Sequence, residues 1–515
     1  MGNKIRDINE LPQDVAVLRR MVMEQADKLD ARDRYVKRLQ HMLAKLLRWR
    51  YGPRREKVDE NQLLLFALEM VEKGQDIPSG DSASDGKKQK KHKHTPHGRQ
   101  RIPEHLERRE VIFDVPEEER HCPHCSGEMK HIGDEVSEQI EFIPASLFVI
   151  REVSKKYACE RGCAILTAQK PMRPIEKGLA GPGLLAHVAV GKYADHLPLH
   201  RQEEIFKRQG VKLARSTLCD WMGTCAELVR PLFDLMKERV MMSKAIQTDD
   251  TPVGVLDREW TRTRIGRLWT YVGDAAHPFT VYDYTPNRKR DGPSNFMEDF
   301  QGYLQADAYP GYDAIFNDPE RQVTEVACWA HVRRKFFEAQ SSDVQLPLIM
   351  LTYIRLLYEV EREARDLKLD GRGRYALRQA RSVELLDGIH TYLKREQGNA
   401  LPKSPEGQAI SYTLSNWKAL TRYCEDGDLE IDNNGAERSL RGVVIGRKNW
   451  MFFGSDRGGR TAAILNSLIT SCKRNQVEPF AYLKDIFERI SAHPVSRLEE
   501  LLPDRWKELR PPSAS

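Results

Sequence analysis

Between residues 244 and 330 the chain changes its periodicity, and that change restricts the fold more than any other feature. KAIQTDDTPVGVL, RLWTYVGD and FTVYDYT are rich in β-branched and aromatic residues and are separated by polar turns. They read as three strands able to pair as a meander. PSNFMEDF then reads as a helix, GYLQAD as a further strand, and VTEVACWAHV as a strand running into the helix HVRRKFFEA. A meander followed by alternating helices and strands implies a mixed α/β sheet. Residues 345–425 are helical again and read as an all-α insertion within that α/β domain, and the chain closes on the helical segments RTAAILNSLITSCKRN and PFAYLKDIFERI. The fold class that follows is multidomain and mainly α, with an α/β core.

The predicted strands carry unusual charges. Asp249 and Asp250 stand in a strand otherwise lined with Ala, Ile, Thr and Val, where a carboxylate is costly unless paired or metal-bound. Asp307 ends GYLQAD directly before the turn YPGY, so it faces a cleft at a strand end; a plain turn aspartate is the alternative. Glu437 lies in DNNGAERSLR. With a helix from about 434, Asn433, Glu437 and Arg441 are spaced by four on one side, and Arg441 could orient the carboxylate or meet phosphate. The alternative is a capping box from Asn434 to Glu437, a purely local role. Carboxylates converging from separate elements are what hard divalent cations need to promote phosphodiester cleavage. Each of the three is a weak signal without its partners.

The remaining segments give the organisation. Residues 18–46 follow heptad spacing through Leu18, Val22, Leu29, Val36, Leu39, Leu43 and Leu46, with Gln25 and Arg32 interrupting the seam. That pattern favours a dimerising coiled coil over a helix packed on its own chain. Residues 74–86 are a Gly/Ser/Asp-rich linker, followed by the basic run KKQKKHKH at 87–94, either a soluble tether or a non-specific phosphate contact. Cys122 and Cys125 in CPHC, with Cys159 and Cys163 in CERGC, give four thiolates for a closed tetrahedral zinc site, and His121, His124 and His131 are substitute ligands. Residues 178–235 read as helices, Gly210 ending one and Ser216 capping the next. With Arg201, Lys207, Arg208, Lys212 and Arg215 nearby they are similar to a helix-turn-helix.

Lys plus Arg exceed Asp plus Glu by only 82 to 76, so any nucleic-acid surface has to come from local clustering. The start lacks the apolar core of a signal peptide, and no 18-residue apolar run occurs, which argues against a membrane and for a reducing cytoplasm.

Taken together, QTDDTPVGVL, LQADAYPGYDAI, CWAHVRRKFFEA and DNNGAERSLRGVVIGRKNWMFFGS resemble the signature blocks of transposases of the insertion-sequence-66 family. LLRWRYGPRREKVDENQLLLF, CPHC…CERGC and KYADHLPLHRQEEIFKRQGV resemble that family's N-terminal, zinc-binding and helical regions, in the same order. The resemblance implies a ribonuclease-H-like catalytic domain whose acidic trio is Asp249, Asp307 and Glu437, using magnesium or manganese to cut and join DNA. The family's first block usually reads Asp-Glu-Thr-Pro. Here it is Asp249-Asp250-Thr251-Pro252, which leaves open whether Asp250 shares the role.

The expected domains are a coiled coil at 1–73, a basic linker at 74–110, a zinc module at 111–172 and a DNA-binding helical region at 173–240. A catalytic domain at 241–456, with its helical insertion at about 340–428, and a C-terminal helical region at 457–515 complete the chain. Asn433, Arg441, Arg447 and Lys448 are candidates for positioning DNA. Terminal repeats and target DNA are the expected partners, with a second protomer through the coiled coil, accessory proteins of the same element, and a nucleoid-associated place in a bacterial cytoplasm. The rival readings are a DNA-end-binding regulator, a nuclease such as a junction resolvase, and a zinc-stapled scaffold.

Overall fold

The computed structural model describes residues 147–150, 156–158, 165–167, 172–176, 178–257, 263–341 and 345–506, with Met23. Apart from Met23, the heptad segment lies outside the described residues, as do the basic run and Cys122, Cys125, Cys159 and Cys163. Two compact units are present. Within the smaller, residues 79–170, strands β1 (Lys156–Ala158) and β2 (Ile165–Thr167) pair antiparallel, with Tyr157 opposite Leu166.

The larger unit is built on one sheet. The strands are β3 (Ala245–Val255), β4 (Arg264–Val272), β5 (Thr280–Thr285), β6 (Gly302–Ala306) and β7 (Val323–Ala327), in the spatial order β5-β4-β3-β6-β7. The first three pair antiparallel as the expected meander, while β6 runs parallel to β3 and β7 parallel to β6. The longest strand, β3, is therefore central. It carries one feature the sequence did not announce: β8 (Phe452–Phe453) pairs with its far end, Gly254 opposite Phe452.

Helices α1 (Pro182–Tyr193), α2 (Leu199–Arg208), α3 (Arg215–Leu228) and α4 (Arg230–Met241) precede the sheet. Gly210 takes φ +83° after α2, as a chain reversal there requires, but Ser216 caps nothing: α3 begins at Arg215 after Ala214, without a side-chain cap. Within the sheet region, α5 (Asp291–Phe296) and α6 (Asp313–Phe316) are short, and α7 (Trp329–Ala339) follows β7. The insertion comprises α8 (Gln345–Asp366), α9 (Gly371–Leu377), α10 (Val383–Gln397), α11 (Pro405–Ser415) and α12 (Trp417–Thr421). It packs on α7 through its own apolar cluster, including Trp329, Phe336, Ile354, Leu357 and Ile389. At its heart Arg378 is buried and pairs in a fork with Glu361, at 2.8 and 2.7 Å. Removing either partner would strand a buried charge.

The chain then forms α13 (Asn434–Trp450), α14 (Asp456–Arg474), α15 (Pro479–Arg489) and α16 (Pro503–Trp506). The expected boundaries at 241 and 456 do not divide the packing. One continuous apolar core joins α1, α3 and α4, the sheet, and α13 to α15, from Leu185 and Trp221 through Trp269 and Tyr271 to Leu468 and Phe487. The reason lies partly in the edge strand. Peptide N–H groups of Thr280 and Tyr282 on β5 donate to Ser471 and Ser467 of α14 at 3.0 and 2.8 Å, so α14 satisfies and covers an edge that would otherwise be open. No helix among the described residues is long and apolar enough to cross a membrane.

Candidate active site

The site is assembled where β3, β6, α7 and α13 meet. In the β3–β6 register Gln247 pairs with Gln305, and the same offset two residues on sets Asp249 alongside Asp307 on the same face. A lattice of side-chain amides fixes that register. Gln247 Nε2 donates to Gln305 Oε1 at 2.9 Å and to the Asp432 carbonyl at 3.1 Å, and Gln305 Nε2 donates to the Glu430 carbonyl at 2.7 Å. The loop before α13 is thus held on the sheet below the two aspartates. Asn433, fully buried, closes the joint by donating to the Thr248 carbonyl at 2.7 Å, and its own peptide N–H donates to Cys328 Sγ at 3.2 Å. A methyl group on Gly435 would meet Gln247 Oε1 at 2.0 Å, so glycine permits the close approach of α13 to β3.

Adjacent residues on β3 face opposite sides of the sheet. Asp250 is all but buried and forms ion pairs with Arg267 and Arg288 at 2.8 Å each, the second guanidinium lying 3.8 Å over the Tyr309 ring. Asp249 has no such partner among the described residues. One carboxylate oxygen accepts the Asp250 peptide N–H at 2.7 Å, and burial chiefly pushes its pKa up to about 7. The negative charges of Asp307, Asp250 and Glu437 push the same way. That mutual influence draws the three expected acids into one electrostatic neighbourhood.

Asp307 follows β6 at its C-terminal end. One oxygen accepts the Tyr309 peptide N–H at 3.2 Å, so the residue does form the turn its position suggested, and Ala308 between them is held at φ +56°. A non-glycine residue in that region carries strain on the order of 1–3 kcal/mol, a kind concentrated at functional sites.

Glu437 lies in the first turn of α13, but the helix is capped at Asn433 without a side-chain cap bond, and the capping box is not formed. Instead Glu437 Oε1 is buried with no hydrogen-bond partner, 3.8 Å from His331 Nε2, while its other oxygen lies 3.9 Å from Arg334.

His331 was not singled out from sequence. It stands on α7, feels both Glu437 and Asp307, and is held below its ordinary pKa chiefly by burial, so it is neutral near pH 7. Cys328, His331 and Glu437 bring ligand atoms within 4.8 Å of one another. The thiol is an unsuitable ligand: burial pushes it up to about 12, and it accepts the Asn433 N–H. Of that group the His331 imidazole and the Glu437 carboxylate remain as donors.

The four expected DNA-positioning residues divide. Asn433, inaccessible to solvent, is a strut between α13 and β3 and lies out of reach of DNA. Arg447 is tied to Thr251 Oγ1 at 2.8 Å and to the Pro252 carbonyl. Arg441 and Lys448 are exposed, and neither forms an ion pair among the described residues; the basic side chains within 4 Å of Glu437 are His331 and Arg334, not Arg441. Arg201, Lys207, Arg208, Lys212 and Arg215 are all exposed around the α2–α3 turn.

The sequence signal that would have found the amide lattice is the repetition Gln-x-Asp, in QTD at 247–249 and QAD at 305–307. For His331 it is the three-residue step in CWAH.

Residues 177–461 match the model described as Transposase IS66 family, and residues 467–503 match the IS66 C-terminal element. Residues 119–163 match the zinc-finger binding domain of transposase IS66, which spans both cysteine pairs, and residues 38–111 match Transposase C of IS166 homeodomain. Among curated proteins, Sinorhizobium fredii y4hP is 35% identical, covering 79% of this chain and 76% of its own length. From the same organism y4jD is 32% identical, covering 97% of both chains, and y4qI is 31% identical, covering 97% of this chain and 98% of its own. All three are named uncharacterised proteins.

Proposed function

Because the chain belongs to the IS66 transposase family, a family of DNA-processing enzymes, we propose that its acidic centre cuts the ends of an insertion sequence and joins them to target DNA. The observation that carries this reading is Asp249, a carboxylate on the central strand with no cationic partner among the described residues, crowded by Asp307 and Glu437. Like charges gathered in a partly desolvated site are costly, and a divalent cation relieves that cost.

Asp249, Asp307 and Glu437 would hold magnesium or manganese. When bound, such a cation pair activates the attacking oxygen and stabilises the leaving one. The chain's own contribution is rigidity. Gln247, Gln305 and Asn433 fix the strands and the start of α13, so that the carboxylates come from braced elements rather than free loops. Cutting is hydrolysis of a phosphodiester by water. Joining is attack of the freed 3′-hydroxyl on a target phosphodiester, which leaves a 3′-hydroxyl of the target and needs no covalent protein intermediate.

The strand order, an antiparallel meander continued by two parallel strands, supports a ribonuclease-H-like core. In this reading Cys122, Cys125, Cys159 and Cys163 hold structural zinc, Arg441, Lys448 and the α2–α3 turn bind DNA phosphates, and the heptad segment pairs two protomers so that both ends are cut together. The work takes place in the bacterial cytoplasm, with accessory proteins of the same element contributing.

The test is an in vitro assay with magnesium on end-containing DNA, comparing the native chain with Asp249→Ala, Asp307→Ala and Glu437→Ala. Loss of both cutting and joining in all three is expected. Undiminished joining in any one removes that residue from the centre, and cutting without joining by the native chain makes it a nuclease.

A further inference from the structure

At the opposite end of α13 from Glu437, thirteen residues or about 20 Å along the helix, a cavity of about 240 Å³ opens between α1, α3, the α13–β8 turn and α14. Lys192, His196, Asp220, Trp450, Arg457 and Asn466 line it. Its floor is aromatic: the Trp450 indole lies stacked on Phe453, with ring centroids 4.7 Å apart and planes 14° from parallel.

Two cations reach it. Neither Lys192 nor Arg457 forms an ion pair among the described residues. Burial holds the Lys192 amine below its ordinary pKa, a cost that an anion would offset. The room is built in by glycine. A methyl on Gly446 would sit 2.8 Å from Trp450 Nε1 and 3.1 Å from His196 Nδ1, and one on Gly223 would sit 3.0 Å from Arg457 Nη2. The turn that follows Trp450 is itself strained, with Met451 at φ +61°, and it leaves Met451 70% exposed.

An aromatic platform, cations outside any ion pair among the described residues, a carboxylate and a carboxamide in one small cavity match a planar heterocycle that carries both hydrogen-bond edges and a phosphate. Its volume is below the roughly 300–1,000 Å³ of pockets for drug-sized ligands, which suits a single base better than a whole nucleotide cofactor. We propose that this cavity receives one unstacked nucleobase of the DNA the chain handles, its ring against Trp450 and its flanking phosphate on Arg457 and Lys192. Asp220 and Asn466 meet the polar edge of the base. Stacking on an aromatic side chain contributes about 1–3 kcal/mol per base, enough to hold a base out of a duplex where pairing is already weakened. The inference rests on DNA being the partner, and it does not depend on the acidic trio.

The experiment uses the full chain and two fluorescent duplexes of about twenty base pairs, one with a single unpaired 2-aminopurine and one with 2-aminopurine paired to thymine. The native chain is expected to bind the bulged duplex about tenfold more tightly, a factor that 1.4 kcal/mol of stacking supplies, and to quench its probe. Trp450→Phe keeps the preference but weakens the quenching, which needs an electron-rich ring. Trp450→Ala loses both while still binding the paired duplex, and Arg457→Ala weakens binding of the bulged duplex and lowers its salt dependence. Retention of the wild-type fold is read from circular dichroism of both Trp450 variants. Equal affinity of the native chain for the two duplexes, or unchanged preference in Trp450→Ala, overturns the pocket. Failure of the native chain to bind either duplex would instead overturn DNA as the partner.

Discussion

On one face of β3, Asp250 meets Arg267 and Arg288 at 2.8 Å each; one residue earlier, on the other face, Asp249 meets no cation and two further carboxylates. The residues are chemically identical and share one strand. What separates them is what the rest of the chain brings to each face: β4 and the segment after β5 supply guanidinium groups, while β6 and α13 supply acids. A carboxylate neutralised by built-in cations is part of the framework. A carboxylate surrounded by others is costly when ionised, and a retained proton or a bound cation relieves that cost. The contrast bears on Asp249-Asp250-Thr251-Pro252: in this fold Asp250 is ion-paired with Arg267 and Arg288.

Substitutions on the two faces should therefore fail in different ways. The largest effect is expected from Asp249→Asn, which should lower magnesium-dependent cutting by about a hundred- to a thousandfold, the scale seen when a single transition-state-stabilising group is removed, with little loss of fold. Activity and thermal melting of the same preparation check both halves of the statement. Asp250→Ala should do the reverse. It leaves two guanidinium groups without their shared partner and should destabilise the larger unit by about 3 kcal/mol, the low end for breaking a buried pair because Arg288 is partly exposed. Denaturant titration reads that loss directly, and an Asp250→Ala chain with native stability would erase the distinction between the faces.

Gly435→Ala should cost about 1–3 kcal/mol, because its methyl group would displace Gln247, which is fixed to Gln305 and the Asp432 carbonyl. The same change should lower activity by more than its stability loss accounts for, since α13 carries Glu437. A double variant with Gln247→Ala, which vacates the space, should recover part of the stability in the same titration.

The smallest effect is the pH dependence of the metal-free protein. Folding raises Asp249 from the ordinary carboxylate range to about 7. Between those values the folded chain keeps a proton that the unfolded chain has released, so stability falls as pH rises through that window. Asp249→Asn, which cannot ionise, should raise the melting temperature by a few degrees at pH 8 in chelator and leave it unchanged at pH 4. A rise of equal size at both pH values would show that packing, not charge, is responsible.

Much of this architecture was legible in the sequence because it rests on local pattern. The strands around Asp249 and Asp307, the helix after Cys328 and the all-α insertion follow from alternation, β-branched content and helical period, and each is present. The features that escaped are non-local. Nothing near Ser467 and Ser471 reveals that their hydroxyls will serve the edge of β5, nearly two hundred residues earlier in the chain. The closing helices thus read as a region of their own and prove to be part of the core. Asn433 read as a DNA contact because an asparagine beside an acid near a helix start looks available. Only the packed structure shows it buried against the Thr248 carbonyl. His331 escaped because the three-residue step in CWAH gains meaning only once α13 brings Glu437 to within 3.8 Å of the ring.

The central claim, that Asp249, Asp307 and Glu437 form one cation site, is tested most directly by titrating manganese into the full chain at pH 7 and comparing it with Asp249→Asn, Asp307→Asn and Glu437→Gln by calorimetry. The native chain should bind manganese with release of protons, because Asp249 is partly protonated at that pH, and each variant should lose that binding. Isotherms that superimpose on the native one in all three would contradict the site.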